Sequence, residues 1–194
     1  VGDTVSGTVD WARRFDHMQQ HTGQHVLSAE LVRLFDARTV GFHLGADAAT
    51  IDLDRPLSVD QVSEGESAAN VVVWDDRPIE IRFVTDQEAA QLDLRKPSRR
   101  TGPIRLVEIA DCDLSACGGT HVGRSGAVGV IAVSFCDRYK DGSRMGFVCG
   151  GRALRLFRRQ HQELTRSGQL LSVGPDDLAS AIDRNQRERR DQRR

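Results

Sequence analysis

The sequence lacks any long apolar run, and no stretch approaches the ~18 consecutive apolar residues of a membrane-spanning helix. A helix that crosses a membrane is therefore excluded, and we expect no membrane partner. We expect no secretory signal, because the first residues do not have the pattern of one. The four cysteines do not suggest a disulfide framework, which is consistent with a reducing compartment. Together these absences predict a cytoplasmic protein.

The 194 residues also carry almost no net charge, because 27 Lys and Arg residues are balanced by 28 Asp and Glu residues. A sum near zero argues against a nucleic-acid partner, but it hides an uneven distribution. The last 43 residues hold eleven Arg and no Lys against six acids, a net +5, which leaves −6 on the rest. This asymmetry is typical of a polyanion-binding arm. The alternative is a solvated helix with intrahelical ion pairs.

Hydrophobic patterning favours an α+β fold with a mostly antiparallel sheet flanked by helices. A capping box at Asp16 and Gln19 predicts a helix over 17–35, and Ser58 with Gln61 predicts a second helix to about Ala69. The strands expected include a hairpin of 71–74 with 79–84.

Three segments follow from this pattern. Residues 1–15, in which valines alternate with polar residues, are expected to be the end of an upstream β-rich segment, so that the chain is a fragment of a longer protein. Residues 16–151 form the expected metal-binding body. Residues 152–194 form an Arg-rich helical extension.

Two short motifs carry the chemistry: HTGQH at 21–25 and CGGTH at 117–121. On a helix, residues four apart share one face, so the imidazoles of His21 and His25 can converge on one ion. Cys117 and His121 can converge in the same way in a glycine-rich loop between two strands. Each half alone is only moderately specific, since a lone HxxxH pattern on a helix is more often a coincidence. Together they supply a Cys-His₃ set suited to Zn²⁺.

The same motifs exclude two enzyme classes. Metalloproteases place a Glu beside the first His of the helix motif, whereas residues 22–24 are Thr, Gly and Gln. The His-x-Glu pattern with a Cys pair that marks zinc deaminases is absent as well. His17 is expected at the surface or supporting the site, because it lies too far from His25 to share one zinc. The other cysteines are expected to be buried free thiols.

These residues resemble the editing domains of alanyl-tRNA synthetases and the free-standing AlaX proteins, over roughly Val9 to Leu154. Gln19-Gln20 and residues 94–96 resemble the longer AlaX forms. One departure is SGAVG at 125–129, which lacks the acid of the usual TGEIG; another is the missing glycine-rich segment upstream. The segments that carry the resemblance are 14–25 (RFDHMQQHTGQH), 42–45 (FHLG), 116–122 (ACGGTHV) and 142–144 (GSR).

The resemblance implies the editing-domain fold of alanyl- and threonyl-tRNA synthetases and an aminoacyl-tRNA deacylase, a carboxylic ester hydrolase that serves translation fidelity. It would cleave the ester of tRNA(Ala) mischarged with Ser or Gly. Such a second site is needed because discrimination by one small group is limited to roughly 1–3 kcal/mol. The zinc ligands implied are His21, His25, Cys117 and His121. Zinc would polarise the ester or its attacking water, or only anchor the aminoacyl group.

Other site residues are expected beside the metal ligands, and of these only His43 follows from the resemblance. His43 is the candidate that positions water, although a loop histidine without such a role fits nearly as well. Thr22 and Gln24 could hydrogen-bond the amino-acid moiety, or only solvate the helix. The backbone N–H groups of Gly118 and Gly119 could stabilise an oxyanion.

A basic surface is expected to contact tRNA phosphates in a salt-dependent way. Three rival functions stay open: a non-catalytic tRNA-binding module with a structural zinc, an editing fragment of a full alanyl-tRNA synthetase, and a zinc hydrolase of small metabolites. The preference between Ser and Gly and the oligomeric state stay open too. The residues of the predicted surface are Arg95, Lys96, Arg99, Arg100, Arg155, Arg158 and Arg159.

Overall fold

A computed structural model describes residue 2, residues 4–96 and residues 102–193. It confirms the α+β fold, with two antiparallel sheets and five α-helices among these residues. The chain divides into two compact units, Val1–Ala153 and Leu154–Arg194. The predicted functional boundaries at 16, 151 and 152 stay predictions.

The larger sheet has four strands in the order β1-β2-β7-β6, and each neighbouring pair is antiparallel. The buried side chains of β2 and β7 face the main core, where Ile51, Met145 and Phe147 are almost completely shielded from solvent. The strands are β1 (Thr39–Leu44), β2 (Ala49–Leu53), β6 (Ile131–Tyr139) and β7 (Gly142–Cys149).

The smaller sheet has three antiparallel strands in the order β3-β4-β5. Its last strand leads directly into the CGGTH loop, so this sheet places Cys117. The short helix α3 (Asp86–Ala89) lies between the first two strands in sequence. The strands are β3 (Ile79–Val84), β4 (Ile104–Ile109) and β5 (Asp113–Ala116).

Helix α1 (Trp11–Phe35) carries the HTGQH motif. It begins before the predicted cap, because the side chain of Asp10 accepts a hydrogen bond from the N–H of Arg13 at 3.1 Å. Asp16, the predicted cap, lies inside the helix and pairs instead with Arg152 at 2.7 Å. From Thr22 to Leu31 every residue is buried. A helix shielded on all sides must pair its polar side chains internally.

Helix α2 (Val59–Trp74) begins at the predicted capping box of Ser58 and Gln61, where both reciprocal hydrogen bonds are present. The predicted hairpin of 71–74 with 79–84 is wrong, because 71–74 form the last turn of this helix. Val72 and Val73 fill the core from that turn. Burial of a β-branched run within a helix thus outweighs its strand propensity.

The second unit is helical, as the sequence predicts. It contains most of α4 (Gly151–Leu171) and α5 (Leu178–Asp191), joined through a 3₁₀ turn at Pro175–Asp177. Residues 4–10 form no strand, contrary to the valine alternation, and their membership of an upstream segment stays a prediction. No described helix is long and apolar enough to cross a membrane.

Gly23 allows α1 to lie close to β7. A Cβ at this position would stand 2.3 Å from the Sγ of the buried Cys149. Next to it, Gln20 exchanges two hydrogen bonds with the backbone of Cys149, at 2.7 and 3.1 Å. The glycine and the glutamine together fix the distance and register of helix and strand.

We expect Gly23→Ala to lower the free energy of unfolding by about 1–2 kcal/mol, because overpacking outweighs the usual helical gain of alanine over glycine. In a Cys149→Ala background the same change becomes neutral or stabilising. Chemical denaturation of the unchanged protein, the two single variants and the double variant measures both effects. Equal losses in the two backgrounds would contradict the close approach.

Candidate metal centre

The fold brings together the four side chains predicted as metal ligands. His21 and His25 project from α1, Cys117 directly follows β5, and His121 lies in the loop beyond it. One ligand atom from each residue lies within 4.8 Å of the other three. The Nε2 atoms of His21 and His121 stand 3.5 and 3.4 Å from the Sγ of Cys117. These four residues could hold one metal ion.

The CGGTH loop passes close to the helix at its second glycine. A Cβ on Gly119 would stand 2.1 Å from the ring of His21, whereas a Cβ on Gly118 would meet nothing within 4 Å. The N–H of Gly119 points at the Sγ of Cys117, 3.4 Å away. This N–H therefore supports the sulfur, and its predicted oxyanion role competes with that contact.

The Cys117 thiol is surrounded by donors. Burial alone would raise its pKa, but hydrogen bonds with His121, His21 and His25 and with the N–H of Gly119 lower the pKa to about 3. Burial lowers the pKa of His121 to about 4 against the opposing effect of Cys117. At neutral pH the site therefore presents a thiolate and a neutral imidazole, which are the forms that bind metal.

Thr22 orients His121. Its hydroxyl lies 3.2 Å from Nδ1 of that ring and accepts the N–H of Val122 at 3.2 Å. Nε2 of His121 is thereby left to face Cys117. Thr22 does not line the cavity beside the cluster. The structure thus places Thr22 behind a ligand, and its contact with the amino-acid moiety stays a prediction.

His25 is held by a carboxylate that the sequence reading missed. Its Nδ1 lies 2.7 Å from the Oδ2 of Asp113, and both side chains are buried. Although burial raises the pKa of Asp113, hydrogen bonds from His25 and Arg95 lower it to about 2. Asp113 and Ser115 are alternate residues of β5, and Cys117 continues that spacing. Polar residues on one face of a strand leading into a ligand are the signal that could have marked Asp113.

A small cavity of about 110 Å³ lies beside the cluster. Gln24 lines it and donates to the Oγ of Ser28 at 2.9 Å, and its contact with substrate stays a prediction. The ring of Phe42 stacks on His21 with centroids 5.7 Å apart. The lining residues are His21, Gln24, His25, Thr39, Gly41, Phe42, Arg95, Lys96, Ser115, Ala116 and Cys117.

His43 is not brought into this cavity. A register shift between Thr39 and Gly41 pairs Phe42 with the buried Ile51, and His43 with Thr50. Because cross-strand partners share a face, Phe42 points to the core side and His43 to the opposite side. His43 is exposed there. Its predicted role in positioning water finds no support in this geometry.

The predicted phosphate-binding residues fall into three groups. Arg95 is 14% exposed and binds Asp113, while Lys96 is exposed and lines the cavity. Arg99 and Arg100 lie outside the described residues. The remaining three, Arg155, Arg158 and Arg159, are exposed on α4 in the second unit.

The remaining cysteines and histidines lie outside the cluster. All four cysteines are free; Cys149 is buried and Cys112 and Cys136 are partly so. Burial raises the pKa of Cys112 to about 12. His161 is exposed and stacks on Phe157.

Comparison with known proteins defines the class. Residues 104–145, which run from β4 into β7 and include Cys117 and His121, match the second additional domain of threonyl and alanyl tRNA synthetases. Residues 104–145 are therefore similar to this domain of the synthetases.

Particular relatives match over much more of the chain. The alanyl-tRNA editing protein Aarsd1 of Mus musculus is 36% identical over 186 residues, which cover 93% of this chain and 45% of the relative. The alanine–tRNA ligase of Pyrococcus abyssi is 35% identical over 94% of this chain and 21% of the ligase. The alanyl-tRNA editing protein AlaX-L of Pyrococcus horikoshii is 38% identical over 79% of this chain and 39% of that protein. The chain thus spans less than half the length of each.

We expect Gly119→Ala to weaken Zn²⁺ binding at least tenfold, because the added methyl group displaces the ring of His21. Gly118→Ala, one residue earlier and facing open space, is the matched control and should bind Zn²⁺ as the unchanged protein does. Competition with a chromophoric chelator gives both dissociation constants. Equal affinities of the two variants would show that the loop does not approach His21 as described.

The pKa of Cys117 also makes a prediction for the metal-free protein. Its thiolate persists down to about pH 4, so iodoacetamide should label Cys117 at similar rates at pH 6 and pH 8. An ordinary thiol would slow about a hundredfold over the same two pH units. Mass spectrometry of the labelled peptide measures the rates, and Zn²⁺ should protect it. A rate that rises tenfold per pH unit would contradict the proposed thiolate.

Proposed function

We propose that this chain hydrolyses the ester of tRNA(Ala) mischarged with Ser or Gly, with Zn²⁺ as its cofactor. The observation that carries the proposal is the convergence of His21, His25, Cys117 and His121 beside a small cavity. The names of the relatives support it, since two of the three proteins compared above are described as alanyl-tRNA editing proteins. We further propose a cytoplasmic location.

The donor set fits zinc. One thiolate and three imidazoles match its borderline-soft character and its preference for four ligands. When bound, Zn²⁺ would supply Lewis-acid polarisation of the ester carbonyl or of a water molecule. Four protein ligands are also typical of a closed structural site. This observation favours a second candidate, a tRNA-binding module whose zinc is structural.

In the proposed reaction the cavity selects a small aminoacyl group. Gln24 and Thr39 present an amide and a hydroxyl to the cavity, and Phe42 closes one side against His21. With about 110 Å³ of space the cavity suits glycine or serine and disfavours large side chains. Thr39 and Ser28 are hydrogen-bonded at 2.6 Å, which fixes the polar wall.

The rest of the substrate has room next to the cluster. A larger cavity of about 520 Å³ shares Thr39, Arg95 and Lys96 with the small one. We propose that it receives the terminal nucleoside of the tRNA, whose ester then points to the cluster. Lys96 and the exposed arginines of α4 would contact phosphates.

Substitution Cys117→Ala should abolish both Zn²⁺ binding and the deacylation of Ser-tRNA(Ala). Cys136→Ala, which removes a thiol outside the cluster, should retain both. Release of radiolabelled serine from mischarged tRNA, with and without chelator, measures turnover, and Gly-tRNA(Ala) is assayed in parallel.

The result separates the two candidates. A structural zinc module would bind tRNA and release no serine at any zinc concentration. Full turnover by metal-free Cys117→Ala protein would contradict the zinc-dependent reaction.

A further inference from the structure

A buried chain of hydrogen bonds runs from the metal cluster to Arg95. His25 Nδ1 lies 2.7 Å from Asp113 Oδ2. Arg95 donates two hydrogen bonds to the same carboxylate, from Nε to Oδ1 at 2.5 Å and from Nη2 to Oδ2 at 3.2 Å. The hydroxyl of Ser115 adds a fourth hydrogen bond at 3.0 Å. These four hydrogen bonds hold the carboxylate in one orientation, with Oδ2 next to Nδ1 of His25.

The surroundings of Asp113 make its charge costly unless it is compensated. Its side chain is 0% exposed, and that of Arg95 is 14% exposed. A buried carboxylate requires a partner of opposite charge and filled hydrogen-bonding positions, and a bidentate guanidinium supplies both. Asp113 consequently depends on Arg95, and removal of either group leaves the other without its compensation.

Arg95 is itself fixed by the backbone. Its N–H donates to the carbonyl of Leu114 at 2.9 Å, and the N–H of Ala116 donates to the carbonyl of Lys96 at 3.3 Å. Lys96 also forms a parallel bridge with Ser115. The segment 94–96 thus lies against β5, the strand that leads into Cys117. This short strand therefore leads into one ligand, Cys117, and carries Asp113, the support of a second ligand, at its beginning.

We propose that Asp113 and Arg95 are positioning residues of the metal centre: Asp113 holds the His25 ring with Nε2 toward the cluster, and Arg95 holds Asp113. The inference rests on the proposed metal site. Ligating histidines commonly donate their second ring N–H to a carboxylate, which fixes both tautomer and orientation. On this account Arg95 acts on the metal centre, and its expected role as a phosphate contact falls away.

The test measures Zn²⁺ affinity of the full chain without tRNA, by competition with a chelator, and the visible spectrum of the Co²⁺-substituted protein. The variants are Asp113→Asn, Arg95→Ala and Arg95→Lys. Asp52→Asn is the matched control, because Asp52 also receives a bidentate arginine, Arg144 at 2.7 and 2.9 Å, without a ligating histidine.

We expect Asp113→Asn to weaken Zn²⁺ binding about 10–100-fold and to change the Co²⁺ spectrum. Arg95→Ala should weaken binding by a smaller factor, and Arg95→Lys should restore part of the loss. The double variant of Asp113→Asn with Arg95→Ala should be no worse than Asp113→Asn alone, since Arg95 acts through Asp113. Asp52→Asn should change neither affinity nor spectrum.

Wild-type Zn²⁺ affinity and Co²⁺ spectrum in Asp113→Asn would overturn the proposal. So would a loss of thermal stability in the metal-free variants with unchanged affinity, because that pattern marks a purely structural pair. If Asp113→Asn does not fold, the two Arg95 variants decide alone. Unchanged Zn²⁺ affinity of Arg95→Ala with weakened tRNA binding would return Arg95 to the phosphate surface. Deacylation is assayed separately. If the Zn²⁺ affinities of the variants follow the expected order but the unchanged protein releases no amino acid, only the proposed function is refuted.

Discussion

The burial of polar side chains along helix α1 is the constraint on which the site depends. Gln20 and the residues from Thr22 to Leu31 are buried, so their polar groups need internal partners. Gln20 meets the backbone of Cys149, Thr22 meets His121, and His25 meets Asp113. These pairings bind the helix to β7 and to the strand and loop of the smaller sheet. These hydrogen bonds set the distance between the two histidines of the helix and the CGGTH loop. The absence of a side chain at Gly23 and Gly119 allows the close approach.

Charge balance follows from the same arrangement. Two acidic groups, the Cys117 thiol and the Asp113 carboxyl, lie in or next to the cluster, and both have lowered pKa values. Arg95 balances the charge of the carboxylate. A thiolate among three imidazoles is a good environment for a divalent cation. The buried network therefore holds the donor groups in place for a metal ion. It also keeps the Asp113 carboxylate from acting as a ligand.

The features that could be predicted from the sequence are those that depend on residues close together in the chain. The spacing in HTGQH and CGGTH identified the residues that the structure brings together, and Ser58 with Gln61 identified the start of α2. Sequence reasoning failed where distant contacts decide. Residues 71–74 are helical because, in that conformation, Val72 and Val73 are buried in the main core. The face of β1 on which His43 lies depends on a bulge between Thr39 and Gly41, which no single-strand pattern reveals, and the role of His43 stays a prediction. Asp113 and Arg95 meet only because the segment 94–96 lies beside β5.

We propose above that one ion is held by a thiolate and three imidazoles drawn from the helix and the loop. X-ray absorption at the zinc edge of the zinc-loaded full chain counts these ligand atoms. We expect one sulfur at about 2.3 Å and three nitrogens at about 2.0–2.1 Å from the metal. Zinc bound without sulfur, or by two or more sulfurs, would contradict this ligand set.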